Sequence, residues 1–226
     1  MSLVAVPARP GKWVDTSNGS ALTDSVLDEL VGAQVVGLFL YVTLSQPGPG
    51  DVTASLLSRA TAKGLQVSLV QHVRGVPHQT VSKSGETLPP MLWVPADYNG
   101  ASDANVGAAH GQSVGFPGGA HLAQDLEACH GTSFDSATYT DRWGTACKAN
   151  GFLHRLYVGY STLLSPLSLY QLRTPNSYWS DAGHREVAVR GVDTTQGEVI
   201  TIGGVQFDTD IVAPDLKGDV FMAAAA

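Results

Sequence analysis

The chain has 226 residues, of which 43% are hydrophobic and 15% are charged, with a formal net charge of −7 at pH 7. This hydrophobic fraction excludes a disordered chain, and an acidic balance with 13 basic residues argues against nucleic acid or an anionic membrane as partner. The longest apolar run, residues 35–42, is too short for a membrane span, which needs about 20 residues.

The first half of the sequence alternates between strand and helix patterns. Thr23 and Asp51 are expected to cap the two helices, and Gly64 is expected to end the second one. The first helix carries an apolar face with helical spacing. The strands are predicted at residues 12–16, 35–42 and 65–73. This order predicts buried, parallel strands.

A long connection at residues 74–100 contains several prolines and is of the kind that carries function. After it, helices are predicted at residues 103–114, 136–150 and 165–172, and strands at 120–128, 153–161 and 177–181. The last predicted strands, 186–193, 198–202 and 205–212, follow one another closely with Gly-containing turns between them. The last crossovers are therefore expected to have short helices or none.

These elements predict an α/β fold, a single (β/α)₈ TIM-like barrel over residues 1–226 that is somewhat degenerate in its C-terminal third. Eight units in this length average about 28 residues, which is near the lower size limit of such barrels. An open, doubly wound sheet is the alternative. However, no Gly-rich phosphate motif follows an early strand to support its usual nucleotide chemistry.

Asp125 and Glu127 stand at the end of the fourth predicted strand. Residues two apart in a strand point the same way, so both carboxylates are expected at the open mouth of the barrel, where such enzymes keep their active sites. In isolation, such a pair more often consists of a helix-capping Asp and a solvent-facing Glu, but the position at a strand end favours the mouth of the barrel.

Two further acids, Asp15 and Asp208, lie on the first and last predicted strands. Separately, Asp15 suits an Asx turn, and Asp208 with Asp210 suits a solvent-facing edge strand. Closing the barrel would place Asp15 near Asp208, with Asp125 and Glu127 across the mouth. The sequence therefore predicts one acidic pocket with these four residues as catalytic candidates.

Aromatic and amide side chains occur at other strand ends. Aromatic rings beside carboxylates suit sugars, whose apolar faces stack while their hydroxyls need acceptors. Each aromatic residue alone also suits ordinary packing. The substrate-binding candidates are Tyr41, Gln71 with its neighbour His72, Tyr160 and Trp179.

Other chemistries have weak sequence support. The seven histidines include no pair at helical ligand spacing, so no metal site and no cofactor are expected. The sequence lacks the Gly-x-Ser-x-Gly motif that carries the nucleophilic serine of many hydrolases, so this type of serine nucleophile is not expected. Cys147 is expected roughly 15 Å along a helix from Cys129, beyond the about 7 Å Cα separation of a disulfide, which predicts two free thiols. Residues 1–13 contain no apolar stretch of signal-peptide length.

Five short motifs follow one another along most of the chain. They are Trp13-Val14-Asp15-Thr16-Ser17, Gly115-Phe116-Pro117-Gly118-Gly119, Gln124-Asp125-Leu126-Glu127, Leu156-Tyr157-Val158-Gly159-Tyr160-Ser161 and Val205-Gln206-Phe207-Asp208-Thr209-Asp210. In this ordered set the chain resembles the glycoside-hydrolase-like barrel domains of unknown function found in actinobacterial secreted proteins and phage proteins, and more distantly the family 25 muramidases.

The resemblance implies hydrolysis of a β-1,4 bond in peptidoglycan or a related glycan. Glu127 matches the muramidase acid, Asp125 its partner, and Asp15 and Asp208 the flanking acids. The implied location is extracellular or in a virion, with a glycan as the substrate. The alternative is a catalytically silent carbohydrate-binding or structural barrel, such as a cell-surface component or a phage-particle subunit with assembly partners.

Overall fold

The computed structural model describes residues 2–72, 92–93, 100–127, 129–130, 132–159, 162–181, 192–212 and 221–226. The strands are β1 (Leu3–Pro7), β2 (Gly11–Thr16), β3 (Val35–Tyr41), β4 (Gln66–His72), β5 (Leu92–Trp93), β6 (His121–Leu126), β7 (Cys129–His130), β8 (Leu153–Val158), β9 (Ser177–Asp181), β10 (Val192–Ile202), β11 (Val205–Val212) and β12 (Phe221–Ala225). The helices are α1 (Asp24–Gly32), α2 (Ala54–Ala62), α3 (Gly100–Ser113), α4 (Ser133–Ala149) and α5 (Pro166–Gln171).

Eight of the strands close into a barrel in the order β2-β3-β4-β6-β8-β9-β10-β11, and β11 pairs back onto β2. The predicted closed α/β barrel is therefore confirmed. One detail differs from eight parallel strands: β11 runs antiparallel to both β10 and β2. The reason is local, because β10 and β11 are joined by a tight turn at Gly203 and Gly204, both with positive φ, which leaves no room for a crossover helix.

The helices begin and end close to the predicted positions. Thr23 caps α1, and its side chain accepts a hydrogen bond from the backbone N–H of Val26. The expected cap of α2 was wrong: Thr53, not Asp51, accepts from the N–H of Leu56. Asp51 instead accepts from the backbone N–H of Gly48 at 2.7 Å and closes the preceding loop. Both residue types can cap a helix, so composition alone did not decide between them.

Two apolar layers hold the barrel together. Alternate residues of each strand point inward and outward. The outward residues, such as Leu122 and Leu126, pack under the helices with helix residues such as Trp143. The inward set fills the barrel below its mouth and includes Trp13, Phe39, Val70, Ala123, Tyr157, Trp179 and Met222.

The first and last described segments, which the sequence patterns did not predict as strands, form a pair outside the barrel. β1 and β12 are antiparallel, and β12 also pairs with β4 at a single position, Ala223 opposite Val67. Cys147 is a free, buried thiol, as predicted, whereas the side chain of Cys129 lies outside the described residues. No helix in the described part of the chain is long and apolar enough to cross a membrane.

Candidate active site

A cavity of about 410 Å³ opens at the barrel mouth, where the parallel strands end. This is the end at which barrel enzymes of this architecture carry out their chemistry. Its walls come from β2, β3, β4, β10 and β11 and from the residue that follows β6. They consist of Asp15, Thr16, Ser17, Tyr41, His72, Glu127, Val199, Gln206, Phe207 and Asp208.

Asp15 and Asp208 meet where the barrel closes. They are direct register partners across the β2–β11 pair, so their side chains lie on the same face of the sheet. Burial raises the pKa of Asp208, and burial together with the charges of Asp208 and Asp125 raises the pKa of Asp15 to about 8. The register of β2 and β11 therefore places these two acids next to each other, as the sequence predicted.

Asp210 lies beneath this pair and is fully buried. The indole N–H of Trp179 donates to its Oδ1 at 2.8 Å. Burial and the charge of Asp15 raise the pKa of Asp210 well above its usual value, and the two carboxyl groups are hydrogen-bonded to each other. The raised pKa favours the protonated form of Asp210, which can donate a hydrogen bond to the Asp15 carboxyl group.

Asp125 is 1% exposed and is not one of the residues that line the cavity, although its contacts Tyr41 and His72 are. The Tyr41 hydroxyl donates to its Oδ2 at 3.2 Å, and His72 Nε2 lies 3.8 Å from the same oxygen. His72 is its register partner on the neighbouring strand β4. Burial raises the pKa of Asp125, and His72 and Tyr41 oppose that shift.

Glu127 follows the end of β6 and lines the cavity directly. Burial and the nearby charge of Asp125 raise its pKa to about 7, while His72 and a hydrogen bond from Tyr157 act in the opposite direction. Gly159 makes room for this side chain: a Cβ at position 159 would lie 2.6 Å from Glu127 Oε2. The site therefore holds a carboxyl group whose pKa lies near neutral pH.

A rigid aromatic layer supports the acids from below. The rings of Phe39 and Trp179 stack with centroids 4.5 Å apart, and Trp13 lies 5.1 Å from Phe39. The Arg155 guanidinium lies 5.2 Å from the Phe39 ring centroid and forms a buried ion pair with Asp193. These contacts fix the inward-facing side chains of the strands that carry the acids.

Two of the predicted substrate-binding residues, Gln71 and Trp179, are buried and do not line the cavity. Gln71 points away from the barrel interior: its amide donates to the backbone oxygens of Thr43 and Asp103, and its Oε1 accepts from the Trp143 indole. It lies beside His72 in the sequence, and adjacent strand residues take opposite faces. Trp179 is 1% exposed and packs inside the barrel below the cavity. Tyr160 lies outside the described residues, and Tyr41 lines the cavity as expected.

Two polar residues of the site, Tyr157 and Gln196, were not among the sequence candidates. They contact each other through the Tyr157 hydroxyl, and Gln196 Nε2 donates to Asp15 Oδ2 at 3.5 Å. The alternation of inward positions along β8 is a signal that could have found Tyr157. His72, which was expected near the mouth beside Gln71, lines the cavity.

No model of a known protein family matches the chain, and no curated protein matches it. Solved structures do match over nearly its whole length. An uncharacterized protein of B. stearothermophilus has 15% identity and a TM-score of 0.65, covering 89% of this chain and 95% of that one. The Tat-secreted protein Rv2525c of Mycobacterium tuberculosis, in complex with L-tartrate, has 14% identity and a TM-score of 0.63, covering 93% and 99%.

The bacterial lysozyme of Streptomyces coelicolor is also similar, with 11% identity, a TM-score of 0.57 and coverage of 92% of this chain and 94% of that one. At such identities the similarity shows the fold alone. The chain therefore shares its barrel fold with a bacterial lysozyme.

Proposed function

We propose that this protein is a glycoside hydrolase that cleaves a glycosidic bond in peptidoglycan or a related glycan. One observation carries the proposal: carboxyl groups from β2, from β11 and from the end of β6 converge on one cavity at the barrel mouth. Like charges held together cost stability, and sites that retain them are typical of acid–base chemistry.

In the proposed mechanism Glu127 transfers its proton to the glycosidic oxygen as the C–O bond breaks. Its position on the cavity wall gives it access to the substrate, and its partly buried setting favours the protonated form. The sugar that remains develops positive charge at its anomeric carbon. Water then adds to that carbon and gives up a proton that restores the protonated form of Glu127, so that the two products carry the atoms of one water molecule.

Asp125 acts on that developing charge. Its carboxylate lies next to Glu127 but deeper, and the Tyr41 hydroxyl fixes its orientation. In this position it stabilises the oxocarbenium-like centre directly, or it orients the acetamido group of the substrate as an internal nucleophile. Asp15 and Asp208 bind sugar hydroxyls on the other side of the cavity, as hydrogen-bond acceptors.

The substrate class follows from the cavity and from the fold. The described walls combine carboxylates with hydroxyl, amide and phenol groups, which match the hydroxyls of a sugar chain. Lysozyme is among the proteins that share the fold. We place the protein outside the cell, where peptidoglycan is found, and one structural neighbour is itself a Tat-secreted protein.

Release of reducing ends from purified peptidoglycan tests the proposal. Glu127→Gln is expected to abolish release and to leave the melting temperature within a few degrees of the parent. Glu29→Gln is the matched control, because Glu29 is an exposed residue of α1 and does not line the cavity. It is expected to retain activity.

Two results would overturn the proposal. One is an absence of reducing ends from peptidoglycan and from N-acetylglucosamine oligomers with folded protein. The other is a Glu127→Gln variant that releases them at the parental rate. Binding of glycan without release would instead identify a catalytically silent carbohydrate-binding barrel, of the kind that serves as a component of a cell surface or phage particle.

A further inference from the structure

Three metal-ligating side chains of different strands meet at the mouth. His72 is the last residue of β4, Asp125 is its register partner on β6, and Glu127 follows the end of β6. One ligand atom from each lies within 4.8 Å of the others. A nitrogen and two carboxylate oxygens thus surround a single point at the rim of the cavity.

A second observation is that one carboxylate oxygen of Asp125 accepts no hydrogen bond from the residues that the structure describes. This oxygen, Oδ1, is buried. A buried carboxylate oxygen without a donor is costly, and a cation would satisfy it. The other oxygen accepts from Tyr41, so the carboxylate is held in place as metal-ligating carboxylates usually are.

We propose that His72, Asp125 and Glu127 bind a divalent transition-metal ion of the Zn²⁺ or Mn²⁺ type. The donor set of one imidazole and two carboxylates suits these ions better than Ca²⁺ or Mg²⁺, which prefer oxygen ligands alone. The Asp125 carboxylate lies beside the imidazole: Oδ2, the oxygen that accepts from Tyr41, is 3.8 Å from His72 Nε2. Two ligands of a tetrahedral zinc ion lie roughly 3.4 Å apart, so a small movement of the carboxylate allows it to share an ion with His72.

The spacing of histidines along the sequence did not predict this site. That search tested for ligand pairs within one helix, whereas here the register of two parallel strands brings His72 beside Asp125 across 53 positions of sequence. Three protein ligands leave a coordination position open toward the cavity. The ion would therefore remain accessible from solvent and removable by a chelator.

A consequence for catalysis rests on the proposed function. An ion bound to Glu127 occupies the oxygen that would otherwise carry the proton to the glycosidic bond. The metal-bound protein is therefore inactive as a glycosidase, and removal of the ion restores activity. The ion acts as a reversible inhibitor that occupies the carboxyl group of Glu127.

The test begins with metal binding in the absence of glycan. Chelator-treated protein is titrated with Zn²⁺ and, separately, Mn²⁺ by calorimetry. The parent is expected to bind one ion, and His72→Ala and Glu127→Gln are each expected to weaken binding about tenfold or more. Glu29→Gln is expected to bind like the parent. His72→Gln replaces His72→Ala if the alanine variant does not fold.

The site is disproved if the parent shows no saturable binding of either ion, or if the folded His72 variant binds as tightly as the parent. The inhibitory effect is then measured as loss of reducing-end release on adding Zn²⁺ and recovery with EDTA. Binding without any hydrolysis by the metal-free protein would refute the proposed function alone. Hydrolysis without binding would refute the metal site alone.

Discussion

Asp15 on β2 and Asp208 on β11 face each other directly across an antiparallel strand pair. Like charges opposite one another in a sheet destabilise it. The fold tolerates this arrangement at the barrel mouth, where Gln196 contacts Asp15 and Asp210 shares a hydrogen bond with it. The stability of the chain should therefore depend on the charges of this cluster.

The first prediction concerns the pH dependence of unfolding. The pKa of Asp15 is raised from 3.8 to about 8 in the folded chain. Between these values the folded chain binds more protons than the unfolded chain, so the free energy of unfolding falls as pH rises. From pH 5 to pH 8 the Asp15 contribution falls by at most about 4 kcal/mol, which urea unfolding at several pH values measures.

Asp15→Asn removes this titration and serves as the comparison. The variant is expected to be more stable than the parent at pH 8 and to lose less stability between pH 5 and pH 8. Parental stability that stays constant or increases over this range would contradict the charge cluster. An unchanged pH slope in Asp15→Asn would show that other groups are responsible.

The second prediction concerns the space beside Glu127. In Gly159→Ala the new methyl group would collide with Glu127 Oε2, Glu127 Cβ and the Tyr157 ring, all within 2.7 Å. The carboxyl group must then move, and small misplacements of catalytic groups reduce rates by roughly 100-fold. Reducing-end release should fall by this order while the protein stays folded.

Gly32→Ala is the matched substitution for this prediction. A Cβ at Gly32, the last residue of α1, meets nothing within 4 Å. Its activity should equal that of the parent. Equal activity of the Gly159→Ala variant and the parent would show that the position of Glu127 does not matter for the reaction.

The third prediction tests whether Gln71 stabilises the fold or binds the substrate. Gln71→Leu removes the acceptor of the Trp143 indole N–H, which lies 2.7 Å from Gln71 Oε1 in the buried layer under the helices. A buried donor left without a partner costs about 1–3 kcal/mol. The melting temperature should fall while the affinity for an N-acetylglucosamine oligomer stays at the parental value. Weaker oligomer binding with unchanged stability would restore Gln71 as a substrate contact.

The fourth prediction concerns the buried ion pair inside the barrel. Arg155 and Asp193 are 0% and 3% exposed in their side chains, so Arg155→Met leaves an uncompensated buried carboxylate. The expected loss is about 3–5 kcal/mol of unfolding free energy. The double variant Arg155→Met with Asp193→Leu should recover most of it in urea unfolding. A double variant that is less stable than Arg155→Met alone would contradict this account.

Most of the barrel could be predicted from sequence because its strands and helices have strong local patterns. The apolar run of β3 and the helix ends at Thr23 and Gly64 are examples. β1 and β12 were missed because each is stable only through pairing with the other, and neither has a pattern of its own. The antiparallel direction of β11 follows from one short turn at Gly203 and Gly204, and this turn also determines that β11 closes the barrel antiparallel to β2.

Barrel closure explains why the sequence could predict that the acids lie close together, and the alternation of strand faces explains the error at Gln71. Asp15, Asp125 and Glu127 stand at or just beyond strand ends, and barrel closure brings strand ends together. Asp208 lies within β11 and reaches the mouth because it is the register partner of Asp15. Gln71 was expected at the cavity, whereas its neighbour His72 lines it. The face on which a strand residue lies depends on the register, and a shift of one position exchanges the two faces.

The most direct test of the central claim is a crystal structure of Glu127→Gln soaked with an N-acetylglucosamine oligomer. We predict that the oligomer lies across the barrel mouth and that a glycosidic oxygen comes within about 2.6–3.2 Å of the side chain at position 127. An oligomer bound elsewhere on the protein, or one that crosses the mouth with no glycosidic oxygen in reach of that side chain, would contradict the account.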